Sequence, residues 1–338
     1  MAKRVNVLGV GMIKFAKPGE SDDYHVMAAG AARAALADAG VDYKEVEQAY
    51  AGYVFGDSTC GQRALYEVGL SGIPIFNVNN NCSTGSTALM LAAQAVAGGM
   101  AECVIAVGFE KMEKGALGSK FGDRANPVEQ HAGVMVKLQG FTQAPPAAQM
   151  FGGAGREYRW KYGTRKETFG QVSVKARKHA AKNPYAIFTQ ELSLDEVMQA
   201  PEVFDPLTRY QCCPPTCGAA AAVVCTDEFA RKKGASKPVW IAAQSMRTDF
   251  ASSFGEDSMI KMVGYDMAAA AARDAYEKAG LGPDDLDVVE LHDCFTANEI
   301  LTYEALGLCK EGEAEKFIWD ADNTYGGKVV TNPSGGLL

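Results

Sequence analysis

The sequence lacks several features, and each absence excludes a class of protein. No apolar run in its 338 residues approaches the ~20 residues that a membrane-spanning helix needs, so no transmembrane segment is predicted. The first four residues lead directly into a strand pattern, and no secretory signal peptide is expected. Basic residues are not in excess, because the net charge is −8 at pH 7. This acidic balance argues against nucleic-acid binding.

The cysteine, glycine and metal-ligand patterns are incomplete as well. Nine cysteines without paired spacing favour reduced thiols in an intracellular, reducing compartment. Gly9 and Gly11 follow the first strand as in a dinucleotide-binding loop, but Lys14 occupies the place of the third glycine. Residues 212–217 contain three cysteines but no second Cys or His pair, and structural zinc needs about four ligands. Neither a nicotinamide cofactor nor a metal ion is therefore predicted.

Two segments of the sequence repeat at an offset of 240 residues. Residues 27–40 and 267–280 are identical at nine of 14 positions, and both copies end in Ala-Gly. A short turn, an acidic segment and an apolar strand follow each copy. Because alanine is common in helices, chance similarity is the alternative explanation. The shared Met, Arg and Gly positions favour an internal duplication.

Strand and helix patterns alternate in each copy, which predicts the α/β class. With 47% hydrophobic and 22% charged residues, the chain is typical of a globular protein with one large or two medium domains. Near-continuous apolar strands between helices favour mostly parallel sheets that are covered on both faces. Two such units predict a five-layer α-β-α-β-α sandwich with the helix after Cys82 in its buried central layer. The second unit ends at Leu338 before its central helix, so we expect an incomplete second half in a truncated sequence.

Residues 114–210 interrupt this alternation. They are polar, mixed in charge and rich in proline, yet Trp160 and other aromatic residues give them something to bury. This composition predicts a helical domain over the active site rather than a linker. The predicted domains are an N-terminal half from residues 1–113 plus 211–236, the helical loop domain at 114–210, and a truncated C-terminal half at 237–338.

Cys82 is the most informative residue of the chain. It lies where a strand ends and a helix predicted over residues 83–97 begins, and no residue from 68 to 101 is charged. The unpaired N–H groups and the positive end of the helix dipole both favour the thiolate, which is the nucleophilic form of cysteine. A small buried cysteine is the alternative. The polar setting around Cys82 favours a reactive cysteine over a buried structural one.

The tetrapeptide His-Asp-Cys-Phe at 292–295 is the second candidate. It follows a strand predicted over 287–291, at the edge where open α/β sheets place their chemistry. On an extended chain His292 and Cys294 point to the same side. A structural histidine beside a buried cysteine is the alternative. If Cys82 lies in the symmetry-related half, two thiols and an imidazole are expected to converge at one crevice.

Together, four motifs resemble those of the thiolase superfamily. They are Asn-Cys-Ser-Thr-Gly around Cys82, Gly-Phe-Glu-Lys-Met at 108–112, His-Asp-Cys-Phe at 292–295 and Asn-Pro-Ser-Gly-Gly at 332–336. The third motif is similar to that of sterol-carrier-protein-X thiolases, which cleave 3-ketoacyl-CoA, including 2-methyl-branched and sterol side-chain substrates. The resemblance covers essentially the whole chain. It implies duplicated βαβαβαββ halves, acyl-CoA and coenzyme A as substrates, no tightly bound cofactor, and a homodimer or homotetramer.

The resemblance also implies a role for individual residues. Cys82 is the implied acylated nucleophile, His292 a member of the oxyanion hole, and Cys294 the acid and base. The residues implied to lie along the pantetheine arm of coenzyme A are Gln149, Met150, Phe151 and Phe295. The family occurs in bacterial cytoplasm and in peroxisomes, so the implied location is cytoplasmic for a bacterial protein and peroxisomal for a eukaryotic one.

The chain departs from the family pattern at two places. The family continues past Gly336 into a Gly-His-Pro segment whose histidine completes the oxyanion hole, and the given sequence contains no such segment. Loss of an oxyanion-hole donor lowers the reaction rate by about 100- to 1,000-fold. Cys217 stands where the family usually has Asp.

His131 and His179 lie in polar helical segments and are predicted to be exposed.

Two alternative functions remain open on the same scaffold. One is a non-catalytic protein that binds or transfers lipids or acyl-CoA. The other is a condensing or retro-aldol enzyme. Related lipid-transfer aldolases have a tyrosine at the place of His292, so this histidine favours thiolysis.

Overall fold

The computed structural model describes residues 3–113, 118, 120–235 and 239–338. The chain divides into two compact units. The N-terminal unit contains Met1–Gly118 and Pro215–Gln244, and the C-terminal unit contains Ser119–Pro214 and Ser245–Leu338. Most of the segment predicted as a separate helical domain therefore folds with C-terminal residues, while the three-part division stays a prediction. In the described ranges, every helix is too short or too polar to cross a membrane.

The strands, in chain order, are β1 (Val5–Met12), β2 (Gln48–Gly52), β3 (Ile75–Val78), β4 (Cys103–Glu110), β5 (Glu202–Phe204), β6 (Leu207–Thr208), β7 (Gly218–Thr226), β8 (Val239–Trp240), β9 (Val288–Val289) and β10 (Val330–Thr331). The α-helices are α1 (Tyr24–Ala39), α2 (Cys60–Tyr66), α3 (Thr84–Ala97), α4 (Glu129–Gln139), α5 (Pro146–Tyr162), α6 (Lys166–Ala180), α7 (Leu194–Gln199), α8 (Asp227–Lys232), α9 (Ala251–Gly255), α10 (Met259–Met262), α11 (Tyr265–Ala279), α12 (Thr296–Ala305) and α13 (Ala314–Trp319). Short 3₁₀ turns span Tyr43–Glu45, Asn81–Ser83, Arg209–Gln211 and Pro283–Asp285.

The N-terminal unit is built on a six-stranded sheet with the order β3-β2-β4-β7-β1-β8. Strand β2 runs parallel to both β3 and β4. Strand β7 lies antiparallel between β4 and β1, and β8 pairs antiparallel with β1. The predicted α/β class is confirmed, but the expectation of a mostly parallel sheet is wrong for this unit. The sheet is mixed because β7 re-enters it after a long excursion and runs in the opposite direction.

Helices cover both faces of this sheet. Ile105 and Val107 belong to the core cluster that contains the buried residues of α1 and α2. Their neighbours Val104 and Ala106 belong to the cluster that contains the buried residues of α3. This alternation follows from the two-residue period of a strand. Helix α3, which was predicted as a buried helix of the central layer, buries six of its residues against this sheet, and Ser86 in its first turn is exposed.

The glycines of β1 allow α1 to pack closely against the sheet. A Cβ atom at Gly9 would lie 2.3 Å from the backbone nitrogen of Ala39, and one at Gly11 would lie 2.3 Å from that of Ala35. No side chain fits at such distances, so the two glycines are explained by helix–strand packing.

The C-terminal unit is mainly helical. Its core contains buried residues of α5, α6 and α12, among them Tyr158, Phe169 and Ile300. Strands β9 and β10 form a two-stranded parallel sheet in which Val288 is opposite Val330 and Val289 is opposite Thr331. The strand predicted over 287–291 is thus present in shortened form.

The two copies of the internal repeat fold alike locally. Helix α1 ends at Gly40 and helix α11 at Gly280, and both glycines adopt the left-handed conformation with φ of 62° and 68°. In both copies the glycine N–H bonds to carbonyls of the last helical turn. A 3₁₀ turn and a strand then follow in each copy. The matching order of cap, turn and strand supports the duplication.

Candidate functional site

The N-terminal unit presents Cys82 at the start of α3. The residue lies in the 3₁₀ turn Asn81–Ser83 between β3 and α3, and its side chain is exposed. Asn81 has a φ of 46°, which asparagine tolerates better than most residues. This conformation turns the chain sharply from the strand into the helix. The predicted position of Cys82 at a helix N-terminus is therefore what the structure shows.

Hydroxyl groups hold the turn around Cys82. Thr84 Oγ1 accepts a hydrogen bond from the Asn80 N–H at 2.7 Å and donates one to the Asn81 carbonyl at 2.6 Å. Ser83 Oγ donates to the Asn80 carbonyl at 2.8 Å. These short-range bonds fix the backbone on both sides of the cysteine. The Ser-Thr sequence after Cys82 thus has a direct structural purpose.

The pKa of Cys82 moves in the direction opposite to the sequence-based expectation. Although the side chain is exposed, surrounding protein atoms displace part of the water that would stabilise a thiolate, and this raises the pKa of the thiol. The Cys82 backbone N–H lowers the pKa by a smaller amount. The thiol is therefore the favoured form at neutral pH. Reaction as a nucleophile requires removal of its proton.

In the C-terminal unit, the His292–Phe295 loop connects β9 to α12. His292 is exposed, whereas Cys294 and Phe295 are buried, with exposed fractions of 7% and 8%. The Asn298 side chain donates to the His292 carbonyl at 2.6 Å and fixes the backbone there. Protein atoms packed around the imidazole lower the pKa of His292, which keeps this ring neutral at pH 7.

Asp293 is a residue of this loop for which no role was predicted from the sequence. Its side chain is fully buried, and Oδ1 accepts a hydrogen bond from the Leu337 N–H at 2.8 Å. Burial, reinforced by the nearby Glu299 carboxylate, raises the pKa of Asp293 to about 7. Gly336 lies so close that a Cβ atom there would be 2.1 Å from Asp293 Oδ2. The sequence signal was the second glycine of Asn-Pro-Ser-Gly-Gly, which leaves room for this carboxyl.

Three side chains tie residues 290–293 to residues 332–337. Asn332 Oδ1 accepts from the Leu291 N–H at 2.7 Å. Glu290 accepts from the N–H and the hydroxyl of Ser334 at 2.9 and 2.8 Å. Together with Asp293, these bonds continue the contact between β9 and β10 beyond the ladder. The motifs His-Asp-Cys-Phe and Asn-Pro-Ser-Gly-Gly therefore form one structural element.

A buried polar network supports the end of β10. Lys175 on α6 forms an ion pair with Glu299 and donates to Thr331 Oγ1 at 2.7 Å. His179 Nδ1 donates to the Asn332 carbonyl at 2.9 Å, and its Nε2 accepts from a threonine hydroxyl at 2.7 Å. His179 is 1% exposed, so the prediction that it is exposed was wrong. Its helix packs on the strand end, which the helical pattern alone does not reveal.

His131 on α4 is likewise less accessible than predicted. The residue is half-buried, and its Nε2 lies 3.3 Å from Asp249 Oδ2. Its ring also packs edge-on against Phe254, with centroids 4.9 Å apart. These contacts come from residues more than 100 positions further along the chain, so the surrounding sequence did not indicate them.

The four residues assigned to a pantetheine contact have different surroundings. The rings of Phe151 and Phe295 stack with centroids 5.0 Å apart, and Met150 is half-buried. Gln149 is fully buried, and its side-chain amide bonds to the backbone of Thr142 and Ala144. Its polar atoms are therefore used to hold the loop before α5, which corrects the expectation of a cofactor contact for this side chain.

The end of β4 carries the Gly-Phe-Glu-Lys-Met motif. The Glu110 carboxylate accepts from the backbone N–H groups of Val54 and Phe55 at 2.9 and 3.0 Å, and burial raises its pKa.

Cys217 is fully buried, and its Sγ donates to the Met112 carbonyl at 3.5 Å. A small neutral side chain suits this position because a buried carboxylate would need several donors.

Some of the predicted site residues share one loop, whereas Cys82 belongs to the other compact unit. His292, Cys294 and Phe295 share one loop of the C-terminal unit, with Phe151 stacked on it. Cys82 belongs to the N-terminal unit, so its convergence with the loop stays a prediction. Among residues 3–113, 118, 120–235 and 239–338, no group of three or more His, Cys, Asp or Glu side chains could hold a metal ion.

Two protein families match this chain, one over its N-terminal part and one over its C-terminal part. The family described as "Thiolase, N-terminal domain" matches residues 5–228. The family described as "Thiolase C-terminal domain-like" matches residues 253–338. Both candidate loops lie within these matches.

Individual relatives match nearly the whole chain. Sterol carrier protein 2 of Oryctolagus cuniculus is 59% identical over 339 residues, or 99% of this chain, and the chain spans 62% of that protein's length. Non-specific lipid-transfer protein-like 2 of Caenorhabditis elegans is 44% identical over 342 residues, which cover 99% of this chain and 83% of that protein. A solved structure named Ltp2-ChsH2(DUF35) aldolase has a TM-score of 0.81 and 26% identity, and the match covers 99% of this chain and 85% of that one.

Proposed function

The chain belongs to the thiolase family, and from this premise we propose that it is an acyltransferase that cleaves 3-ketoacyl-CoA with coenzyme A. Branched-chain and sterol side-chain acyl groups are the proposed substrates, because a relative named sterol carrier protein 2 is 59% identical to it. The observation that carries the proposal is the exposed Cys82 in a fixed turn at the start of α3. We further propose a homodimer or homotetramer in a reducing, intracellular compartment.

In the proposed first half-reaction, Cys82 attacks the 3-keto carbon as its thiolate. The neutral imidazole of His292 donates a hydrogen bond to the oxygen on which negative charge develops. The C2–C3 bond then breaks and leaves acyl-Cys82 and the enolate of acetyl- or propionyl-CoA. Cys294 gives its proton to this carbanion and becomes a thiolate.

In the second half-reaction, the Cys294 thiolate takes the proton of an incoming coenzyme A thiol. The resulting coenzyme A thiolate attacks acyl-Cys82, which releases the shortened acyl-CoA and restores both cysteines. Phe295 and Phe151, with Met150, are proposed to contact the pantetheine arm, because they form an apolar group beside Cys294. The raised pKa of Cys82 means that substrate binding must be coupled to loss of its proton.

The acyl group on Cys82 tests the proposal most directly. The chain is incubated with acyl-CoA without free coenzyme A, and its peptides are analysed by mass spectrometry. We expect one acyl group on the peptide that contains Cys82, released by added coenzyme A. Cys82→Ala should abolish the label, and the matched control Cys60→Ala should keep it, because Cys60 is buried in the same unit. An acyl group elsewhere would refute the assignment.

A retro-aldol reaction is the second candidate, because a solved structure that covers 99% of this chain is named an aldolase. Such a reaction forms no acyl-cysteine and needs no free coenzyme A. Product analysis with and without coenzyme A therefore separates the two reactions. Binding of acyl-CoA without acylation or cleavage would instead favour a lipid-binding or lipid-transfer protein.

A further inference from the structure

A short antiparallel contact brings two cysteines opposite each other in the C-terminal unit. Cys212 and Phe295 form an antiparallel β-bridge. The Cys213 N–H donates to the Cys294 carbonyl at 2.9 Å. In an antiparallel pair the next residue of one segment is opposite the preceding residue of the other, so Cys213 is opposite Cys294. Residues that exchange both backbone hydrogen bonds have Cα atoms about 5.5 Å apart, and the bond from Cys213 to Cys294 keeps these two residues near that separation.

The bridge itself shows which way the neighbouring side chains point. Cys212 and Phe295 are opposite each other, and both have an extended backbone. Successive residues of an extended segment point to opposite faces. Cys213 and Cys294 therefore share one face, and Cys212 and Phe295 share the other.

We propose that Cys213 and Cys294 are an oxidation site at which a hydroperoxide forms a disulfide. The Cα separation of opposite residues lies within the range of about 4.4–6.8 Å that disulfides span. Both cysteines are reduced in the structure. One hydroperoxide oxidises one thiol to a sulfenic acid and leaves as an alcohol, or as water if it is hydrogen peroxide. The second thiol then attacks that sulfur, forms the S–S bond and releases water.

The disulfide would withdraw Cys294 from acid and base chemistry. Cys294 is 7% exposed and Cys213 is half-buried against the same apolar core. Small thiol reductants would reverse the bond by exchange. The expected loss of activity rests on the proposed function of Cys294, whereas formation of the bond rests only on the register.

Peptide mapping after oxidation tests the site. The full chain is treated with hydrogen peroxide, blocked with an alkylating agent, digested with trypsin and analysed without reduction. The tryptic peptide 210–231 carries four cysteines and the peptide 279–310 carries two, so fragmentation spectra must assign the linked pair. We expect a Cys213–Cys294 linkage that is lost on reduction.

Variants distinguish this pair from its neighbours. Cys213→Ser and Cys213→Ala should both abolish the linkage, and Cys212→Ser should leave it unchanged because Cys212 points to the other face. A linkage of Cys294 to Cys212 or to Cys82, or only sulfinic and sulfonic acids at Cys294, would overturn the proposal. If the predicted bond forms and turnover is unchanged, the proposed role of Cys294 fails while the oxidation site stands.

Discussion

Cys82 and Cys294 occupy similar places in the chain and opposite environments. Each stands two residues before a helix, α3 for Cys82 and α12 for Cys294, and each follows a strand. Cys82 is exposed in a turn that neutral hydroxyl groups hold. Cys294 is buried in a loop next to Asp293, whose carboxyl fixes that loop to Leu337. The same local arrangement thus produces one accessible thiol and one enclosed thiol.

This difference matches the two tasks in the proposed reaction. A thiol that receives an acyl group must be reached by a bulky substrate, and an exposed turn at a helix start permits this. A thiol that only exchanges a proton needs no such access. An enclosed position also keeps water away from the carbanion that it protonates. Exposure, rather than local sequence, therefore distinguishes the two proposed roles.

The largest effect is expected for Cys294→Ala. Loss of a positioned acid and base costs about 100- to 10,000-fold, so turnover of 3-ketoacyl-CoA should fall by that factor. Acylation of Cys82 by acyl-CoA should persist, because the nucleophile is intact. Steady-state rates and the mass of the acylated peptide check both statements. Unchanged turnover would remove Cys294 from the mechanism and end the division of roles.

A smaller effect concerns the pH dependence of stability at Asp293. Its pKa of about 7 in the folded chain exceeds the ordinary value of about 3.9 in an unfolded chain. The folded state therefore holds the proton more tightly, so stability is fully present below about pH 4 and decreases as pH rises toward 7. Each pH unit in this window costs at most about 1.4 kcal/mol.

The variant Asp293→Asn removes this titration while keeping the shape of the side chain. Between pH 4 and 7, the parent chain should lose more stability than the variant, and above pH 7 the difference should stay constant. Urea denaturation at several pH values measures it. The variant Asp285→Asn, at an exposed acidic turn of the same unit, is the control and should leave the profile unchanged. Parallel pH profiles of parent and Asp293→Asn would contradict the role given to burial.

The smallest effect is the rate of alkylation at the two thiols. Cys82 should react with iodoacetamide faster than Cys294, because it is exposed and Cys294 is buried. The raised pKa of Cys82 predicts that its reaction rate increases at higher pH than that of a free cysteine, which titrates near about 8.5. Peptide-resolved labelling across pH provides the measurement. A profile shifted to lower pH would show that the helix terminus dominates after all.

The segments predicted with least difficulty are those whose structure depends on near neighbours. The repeat segment 27–40 ends in Ala-Gly, and the structure has Ala39 as the last residue of α1, followed by Gly40 in a left-handed cap. A strand precedes Cys82 as predicted, and α3 begins one residue after the predicted start at residue 83. Caps, turns and the period of apolar residues decide these features, and all of them are read within a few positions of the chain.

The features that differ from the sequence-based predictions depend on distant residues. They are the direction of β7, the burial of His179 and the hydrogen bond that Asp293 accepts from Leu337. Each involves partners far away in the chain. His179 and Asn332, for example, are 153 positions apart. A polar helical pattern around His179 predicts exposure correctly only when nothing packs on that face. Without the position of β10, the sequence offers no signal that something does.

Helices α1 and α11 show the same limit within the duplicated segments. Their sequences are closely similar, yet α1 buries eight of its residues, whereas α11 buries only Ala272. Alanine-rich composition makes both segments helical. Burial requires a sheet to pack against, and the six-stranded sheet supplies one to α1. Among the described residues, the C-terminal unit has two sheets of only two strands each.

Neighbouring residues alone indicate where helices end and that Cys82 lies between a strand and a helix, because these features depend on short-range hydrogen bonds and residue spacing. The four motifs are likewise read directly from the sequence. Which thiol is exposed, which carboxyl is buried and which cysteine is opposite Cys294 became known only from the folded chain. Exposure and pKa depend on the atoms that surround a group in space, and those atoms come from segments that the local pattern does not identify.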